Sequence, residues 1–453
     1  MQKKGYTLKK TIIYFVGVYD TLDLFTEKLK EAFEEMGYAS FVYDARIPQS
    51  KDALLELLDG SVMGASMGSR RMAGAKQTSA DSTPLLSQID AAGSFACVTF
   101  NNLGYNLDLP ERQDDCAGGA PDDMIDFWNE TPRAKRESGR NLWDYYGIPY
   151  INILMDHPFH YEKPLRAAAS SSIVLCTDRN HVKYIRRYFK NIRQTDFLPH
   201  AGVELGGRHK PLAGRGIDVL YAGALPIYTV AKMIPDLSSI VEVDGERMAQ
   251  EVLAELVHHP KKTTEQVIEE YLKSQRNDIS EERIHEIIVQ MRFIDSYATS
   301  FFREQAVRLL VENGVRVTAY GAGWDQCDWS GNPYLDYRGK VLAPEILPLM
   351  NDSKIVLNTM TWFKAGAHDR VFNGMLAGAA VVTDDSTYLR REFSDGKELV
   401  MFDLEDLGTL PERVFELFGH MDRAQRMADC GYRAAKEGHT WKSRAEYIAE
   451  CFL

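Results

Sequence analysis

The 453-residue sequence is short of several things that would place it in whole classes of protein. Its six cysteines, at 97, 116, 176, 327, 430 and 451, lie far apart with no C-x-x-C pair. Several fall in apolar strand-like runs where buried free thiols are common, so the expected compartment is reducing, the cytoplasm. No run reaches the ~18 apolar residues that span a bilayer, and stable membrane insertion is not expected. No segment is strongly basic: 53 Lys and Arg against 65 Asp and Glu leave a net charge of −12. That removes long-range attraction to DNA or to an anionic membrane, and nucleic acid is not an expected partner. No G-x-G-x-x-G opens a helix, which leaves a dinucleotide cofactor poorly supported. No internal repeat is visible. The N-terminus has Lys3, Lys4, Lys9 and Lys10 before an apolar run from Thr11 to Val18, but no small-residue cleavage site follows. The run stops at Asp20 before an amphipathic helix, so it reads as a first buried strand.

What is present is an ordinary globular balance, 45% hydrophobic and 26% charged, which excludes a largely disordered or fibrous chain. At roughly 150 residues per domain the length sets two to three domains. Thr11 to Val16 is β-branched and aromatic, Leu22, Phe25, Leu29, Phe33 and Met36 follow at helical spacing, and Ser40 to Asp44 returns to strand character. This is a βαβ opening and implies a parallel sheet. Further strand-like runs at Ala96–Phe100, Tyr150–Met155, Ile173–Thr177 and Phe197–Leu198 complete one doubly wound domain, residues 1–205. Residues 59–80, rich in Gly, Ser, Ala and Met with Arg70, Arg71 and Lys76, show neither period and read as a surface loop, with or without a role as a substrate lid. Glycines, a proline and cations crowd Gly202 to Gly216, the best domain boundary. A second strand-to-glycine unit starts at Ile217, and strands recur at Val315–Tyr320, Ile355–Leu357, Ala380–Thr383 and Leu399–Phe402. The second domain is therefore residues 215–438, with a helical insertion over about 240–313.

The densest chemistry lies between Asn358 and Asp384. A buried strand ends at Asn358, a loop carries Lys364, Gly366, His368 and Arg370, and a short helix with Asn373 leads to Gly378. The N-terminus of such a helix offers unpaired N–H groups and partial positive charge to an anion, and Arg370 can add a bidentate contact. A diphosphate would be held there. As a competing reading, Arg370 pairs with a surface acid and the glycines only turn the chain. Asp156-His157-x-x-His160 follows the strand Tyr150–Met155 directly. At the carboxyl end of a parallel strand, Asp156 or His157 can act as general base for an attacking hydroxyl, or Asp156 can simply cap the turn. His200 ends the last strand of the first domain and faces the same cleft or a hinge. Asp20 caps its helix or approaches an acceptor. H-x-x-H alone lacks the further ligands of a metal site, and no metal is expected. Gly223 in Tyr221-Ala-Gly-Ala224, and Tyr320 and Gly321 after the next strand, could line a donor cleft; Arg338 and Lys340 sit on a short loop nearby in sequence.

The order of the C-terminal motifs resembles the CgeB-like (spore maturation protein) glycosyltransferases, within the GT-B group that includes the group 1 enzymes. The matching residues are Arg370-Val-Phe-Asn373, Gly378, Leu389-Arg-Arg-Glu-Phe393 and His439-Thr-Trp-Lys-Ser-Arg444. In the N-terminal half they are Asp156-His-Pro-Phe159, Thr177 to Ile185 and Phe197-Leu-Pro-His200. The resemblance covers about residues 148–453. It implies an α/β protein of GT-B architecture, two facing Rossmann-like domains with parallel sheets, and a last helix, in residues 439–453, that crosses back to the first domain. It also implies a nucleotide diphosphate sugar as donor and a glycan, surface polymer or protein as acceptor. Gly223, Tyr320, Gly321, Arg338, Lys340, Asn358, Lys364, His368, Arg370 and Asn373 would be on the donor side, and Asp156, His157 and His200 would be the catalytic side chains. The chain departs from the Glu-x7-Glu pair of many retaining group 1 enzymes, with Ala365 and Asn373 at those positions. That leaves open the stereochemical outcome and two rival readings: a non-catalytic carbohydrate-binding or surface-assembly protein, and a sugar-nucleotide epimerase of the same fold.

Overall fold

Short β-branched and aromatic runs alternate with helices along the chain, and strands joined through a helix pair in parallel because the crossover returns each to the same edge. In a computed structural model of the protein, which describes residues 10–67, 95–108, 141–229 and 235–453, this winding happens twice. The first sheet comprises β1 (Thr11–Val16), β2 (Ala39–Asp44), β3 (Phe95–Phe100), β4 (Tyr150–Leu154), β5 (Ser172–Cys176) and β6 (Gln194–Phe197), in the order β2-β1-β3-β4-β5-β6. The second comprises β7 (Ile217–Ala222), β8 (Val317–Tyr320), β9 (Leu335–Tyr337), β10 (Ser353–Asn358), β11 (Ala380–Asp384) and β12 (Val400–Phe402), in the order β12-β11-β10-β7-β8-β9. Every pairing is parallel, with β10 in register on β7 as Val356 opposite Leu220. Strand order reverses between β1 and β3 in one sheet and between β7 and β10 in the other. Those two reversal points open the crevices in which such sheets take ligands.

Residues 59–67, expected in a loop, instead continue the helix Ser50–Met67. Leu54 and Leu58 bury its first turns well enough to carry the helix onward; the remainder of the 59–80 loop lies outside the described residues. The inserted helices Gly245–His258, Thr264–Gln275, Glu281–Gln290 and Phe293–Glu312 belong to the second domain by sequence. In space they close on the first: Val252, Ile268, Ile287 and Ile294 share a core with Phe159, Tyr184, Ile185 and Phe189. Arg187 binds Glu269 at 2.6 Å and also Glu281, across the same seam. The last helix, Trp441–Phe452, returns to the first domain, where Trp441 packs between Phe25 and Phe100 at 5.0 and 5.4 Å. The two sheets are thus tied at the linker, through the inserted helices and by the terminal helix. Among the described residues, no helix is long and apolar enough to cross a membrane.

Candidate functional site

The reversal point of the second sheet is built by the ends of β7 and β10. Asn358, the last residue of β10, is fully buried; its Nδ2 donates to Thr383 Oγ1 at 2.9 Å, and its Oδ1 accepts Arg370 Nη1 at 2.7 Å. Asn358 therefore positions Arg370. The guanidinium lies over the Tyr221 ring, 5.4 Å from its centroid, and a Cβ on Gly223 would sit 3.3 Å from Nη2. Gly223 keeps that approach open. Its carbonyl is taken by Trp324 Nε1 at 2.8 Å, and Gly321, at φ +124°, packs so closely on it that any Cβ there would meet the Gly223 main chain at 2.5 Å.

A second guanidinium stands beside the first. Arg303, on the helix Phe293–Glu312, donates through Nη1 to Ala224 O at 2.6 Å, lies 5.2 Å over Trp362, and leaves its buried Nε without a partner. Burial pushes its pKa below the ordinary arginine value, and the nearby Arg370 charge adds to the shift. Lys364 shares Asp384 and Asp295 with Arg303 as neighbouring charges; burial lowers its ammonium too, against the pull of those two acids. Among the described residues, none of these three cations forms an ion pair with a carboxylate. Cations largely withdrawn from water and without a direct ion-pair partner are costly to hold, and an anion joining them would offset that cost.

The rest of the motif block does other work. His368 Nδ1 lies 2.6 Å from Asp369 Oδ1 and 3.2 Å from the Arg370 main-chain nitrogen, so the helix Asp369–Leu376 presents a carboxylate in its first turn. That carboxylate makes the helix N-terminus less open to an anion than the sequence alone suggests. Asn373 accepts the Val203 N–H at 2.8 Å and donates to Asp369 at 3.0 Å, joining linker to helix rather than facing the cleft. Arg338 is exposed and pairs with Asp336 at 2.8 Å, while exposed Lys340 lies on the same outer loop beyond β9. Tyr320 lines a shallow polar hollow with Asp218, Thr318 and Arg338. None of these joins the cation group.

On the first sheet, neighbouring Asp156 and His157 turn different ways. Asp156 Oδ2 accepts Tyr161 Oη at 2.8 Å and Asn101 Nδ2 at 3.2 Å, leaving Oδ1 uncommitted among the described residues. Asn101 and Asn102 hold φ of +46° and +64°, left-handed conformations tied down by Asn101 Oδ1 on the Met155 N–H and by the Asn102–Asn152 pair. Such constrained backbone beside a strand end is characteristic of sites. His157 is buried, stacked 3.7 Å on Phe159; its Nδ1 accepts the Phe159 N–H at 3.2 Å, and its Nε2 lies 3.3 Å from Glu265 Oε2. With Nδ1 taken by the Phe159 N–H and Nε2 facing Glu265, both ring nitrogens are engaged within the protein. Of the two expected bases, only Asp156 is free to serve. His200 is buried between the domains, its Nε2 3.4 Å from Met155 O and its ring stacked 6.0 Å from His368. Burial pushes it down to about 4, keeping it neutral.

The sheets are pinned beside this cleft. Asp178 accepts the Ala365 N–H at 2.6 Å and the Asn180 N–H at 2.6 Å, and a Cβ on Gly366 would meet Thr177 O at 2.1 Å. The motif that carries His439 and Arg444 is part of the hinge: His439 stacks 4.8 Å on Phe372, and Arg444 donates to the carbonyls of Pro199, His200 and Gly438. Sequence reasoning missed Arg303, Asn101, Glu265, Asp178 and Trp362. A lone arginine in a helix without a clear apolar stripe gives no local signal, and the other four acquire a role only through partners distant in sequence.

Fold and site together define an α/β protein with two parallel-sheet domains across a cleft, cationic on the second sheet and carboxylate-bearing on the first. Residues 299–450 match the family described as Glycosyl transferase-like, a segment that includes Arg303, Lys364, Arg370 and most of the terminal helix. The match spans about the C-terminal third of the chain. No curated protein matches the sequence. Sucrose-phosphate synthase from Thermosynechococcus elongatus is similar in structure at 9% identity, over 98% of both chains, with a TM-score of 0.49. Alr3699/HepE of Anabaena, solved with UDP-glucose, is similar at 11% identity over 98% of this chain and 99% of that one, TM-score 0.47. A glycosyltransferase from Rickettsia africae ESF-5 is similar at 8% identity over 98% and 97%, TM-score 0.45. At such identities residue roles do not transfer, and the site stands on its own geometry.

Proposed function

We propose that the protein transfers a sugar from a nucleoside diphosphate sugar to a hydroxyl-bearing acceptor. The observation that carries this is the group of Arg303, Arg370 and Lys364 at a sheet reversal point, none of them in a direct ion pair among the described residues, within the segment that matches the Glycosyl transferase-like family. As the acceptor oxygen bonds to the anomeric carbon, the bond from that carbon to the diphosphate oxygen breaks. Its electron pair leaves on the diphosphate, where the three cations meet the growing negative charge. That removes the need for a divalent ion in charge neutralisation. The acceptor proton passes to Asp156 Oδ1, while Tyr161 and Asn101 hold Oδ2 in place.

The order of the C-terminal motifs supports the finer likeness to CgeB-like enzymes, and the acceptor is a glycan, surface polymer or protein. Asn373, the departure that favours a non-catalytic binder, is bonded to Val203 and Asp369 and is no measure of turnover. The test is release of nucleoside diphosphate from a panel of UDP-, GDP- and dTDP-sugars, with and without EDTA. Turnover that survives EDTA and falls ~10²- to 10⁴-fold in Asp156→Asn, with donor affinity retained, is the expected result. Binding of no nucleotide would refute the reading, and loss of binding with EDTA would refute metal independence.

A further inference from the structure

Beside the cation group, the inserted helices close over a small polar cavity whose wall includes His157, Glu265, Asp295, Thr361, Trp362 and Lys364. Its free space, about 10 Å³, is that of a single water-sized sphere, enough for a hydroxyl and too little for a sugar ring. Two buried atoms on that wall, Thr361 Oγ1 and Trp362 Nε1, have no hydrogen-bond partner among the described residues. His157 Nε2 and Glu265 Oε2 face each other across the same wall at 3.3 Å. His157 and Thr361 are 5% and 7% exposed, so water does not satisfy them from outside. A buried polar group without a partner is rare, and two donors aimed at one cavity beside two carboxylates call for an occupant.

The chemistry of the wall narrows that occupant. Trp362 Nε1, Thr361 Oγ1, His157 Nε2 and the Lys364 ammonium can donate, while the Glu265 and Asp295 carboxylates can only accept when ionised. A phosphate, which only accepts, would be repelled by both acids. A hydroxyl both donates and accepts, and it suits the mixed wall. Asp295 is already oriented by Thr264 Oγ1, which donates to it at 2.6 Å. Lys364 belongs both to this wall and to the cation group, and the Trp362 ring lies under Arg303, so the cavity adjoins the place assigned to the diphosphate.

We infer that Glu265 and Asp295, supplied by the inserted helices, hold a hydroxyl of the donor sugar. They would stand in for the carboxylate that the sequence lacks at positions 365 and 373, and Trp362 and Thr361 would donate to the same edge of the sugar. The inference rests on the donor-site reading above and adds to it the element that selects the sugar.

The experiment is calorimetric titration of UDP, GDP, UDP-glucose, UDP-N-acetylglucosamine and GDP-mannose into wild type, Glu265→Gln, Asp295→Asn and Trp362→Phe. Wild type should bind one sugar nucleotide more tightly than the corresponding nucleoside diphosphate. Each variant should lose that advantage, by roughly tenfold for the acids and severalfold for Trp362→Phe, a loss larger than any change in affinity for the nucleoside diphosphate alone. Trp362→Phe keeps the ring under Arg303, so it tests the point even if an acid variant does not fold. A variant that folds and keeps the full sugar advantage, or a wild type with no such advantage, overturns the inference alone. Failure of wild type to bind any of the five overturns the donor-site reading and this inference with it.

Discussion

Four arginines of this chain, Arg215, Arg303, Arg370 and Arg444, are buried to nearly the same degree, between 3% and 7% exposed, yet they fall into two kinds. Arg215 spends its guanidinium on the carbonyls of Lys210, Met350, Ser353 and Ala377. Arg444 spends its own on Pro199, Gly438 and His200, with His439 Nδ1 at 3.4 Å. Among the described residues, the Arg370 side chain makes one hydrogen bond, to Asn358, and that of Arg303 makes one, to Ala224. Burial therefore does not distinguish a binding arginine from a structural one. The distinction lies in how many of five donors the protein itself consumes, since a guanidinium withdrawn from water with donors to spare is held ready for something else. The hinge arginines are saturated; the cleft arginines are not.

The largest effect should come from breaking the saturated kind. Arg444→Ala strands three main-chain carbonyls at about 1 kcal/mol or more each, so urea denaturation should show a loss of roughly 2 to 4 kcal/mol. Protein that remains folded should still bind nucleotide as wild type does. Next, Arg370→Ala should weaken a nucleoside diphosphate by roughly 1.5 to 3 kcal/mol, about 10- to 150-fold in Kd, with little change in stability. Smaller, and opposite in sign, is the effect expected of Arg303→Met. Replacing a buried cation that repels Arg370 with an apolar side chain should raise the Tm of the unliganded protein by a few degrees while weakening nucleotide. If Arg444→Ala impaired binding and Arg370→Ala impaired folding, the division would be wrong.

The smallest effect concerns pH. Burial raises Asp384 to about 7, although Lys364 and the Met360 N–H pull it down. Its folded value then exceeds its unfolded one, so its stabilising proton is fully held below pH ~4, and the contribution is lost as pH rises toward 7. Asp384→Asn should remove that slope. The quantity to follow is the Tm difference between wild type and variant from pH 5 to 7.5, which cancels the opposing contribution of buried neutral histidines such as His200. A constant difference would contradict the assignment.

Much of the fold was legible because parallel strands buried on both faces read as apolar runs. The β7 and β10 runs, Ile217–Ala222 and Ser353–Asn358, are of that kind. β9, three residues of mixed character at a sheet edge, was not recognisable as a strand, and the Tyr337–Val341 stretch read only as a loop. Arg370 and Lys364 were legible because glycines and a strand end surrounded them. The jobs of Asn373 and His157 were not, since both are set by hydrogen bonds that single-sequence spacing does not encode: Val203 in one case, the Phe159 N–H and Glu265 in the other. The inserted helices were visible as helices, but their docking on the first domain was not, because an amphipathic stripe says that a face is buried and not against what.

The most direct test of the unsaturated-arginine account is calorimetric titration of UDP and GDP into wild type and into an Arg303→Met/Arg370→Ala double variant with a wild-type-like melting transition. At least one of the two should saturate wild type and give no measurable binding to the double variant at the same concentrations. Equal affinity in the two proteins would contradict it.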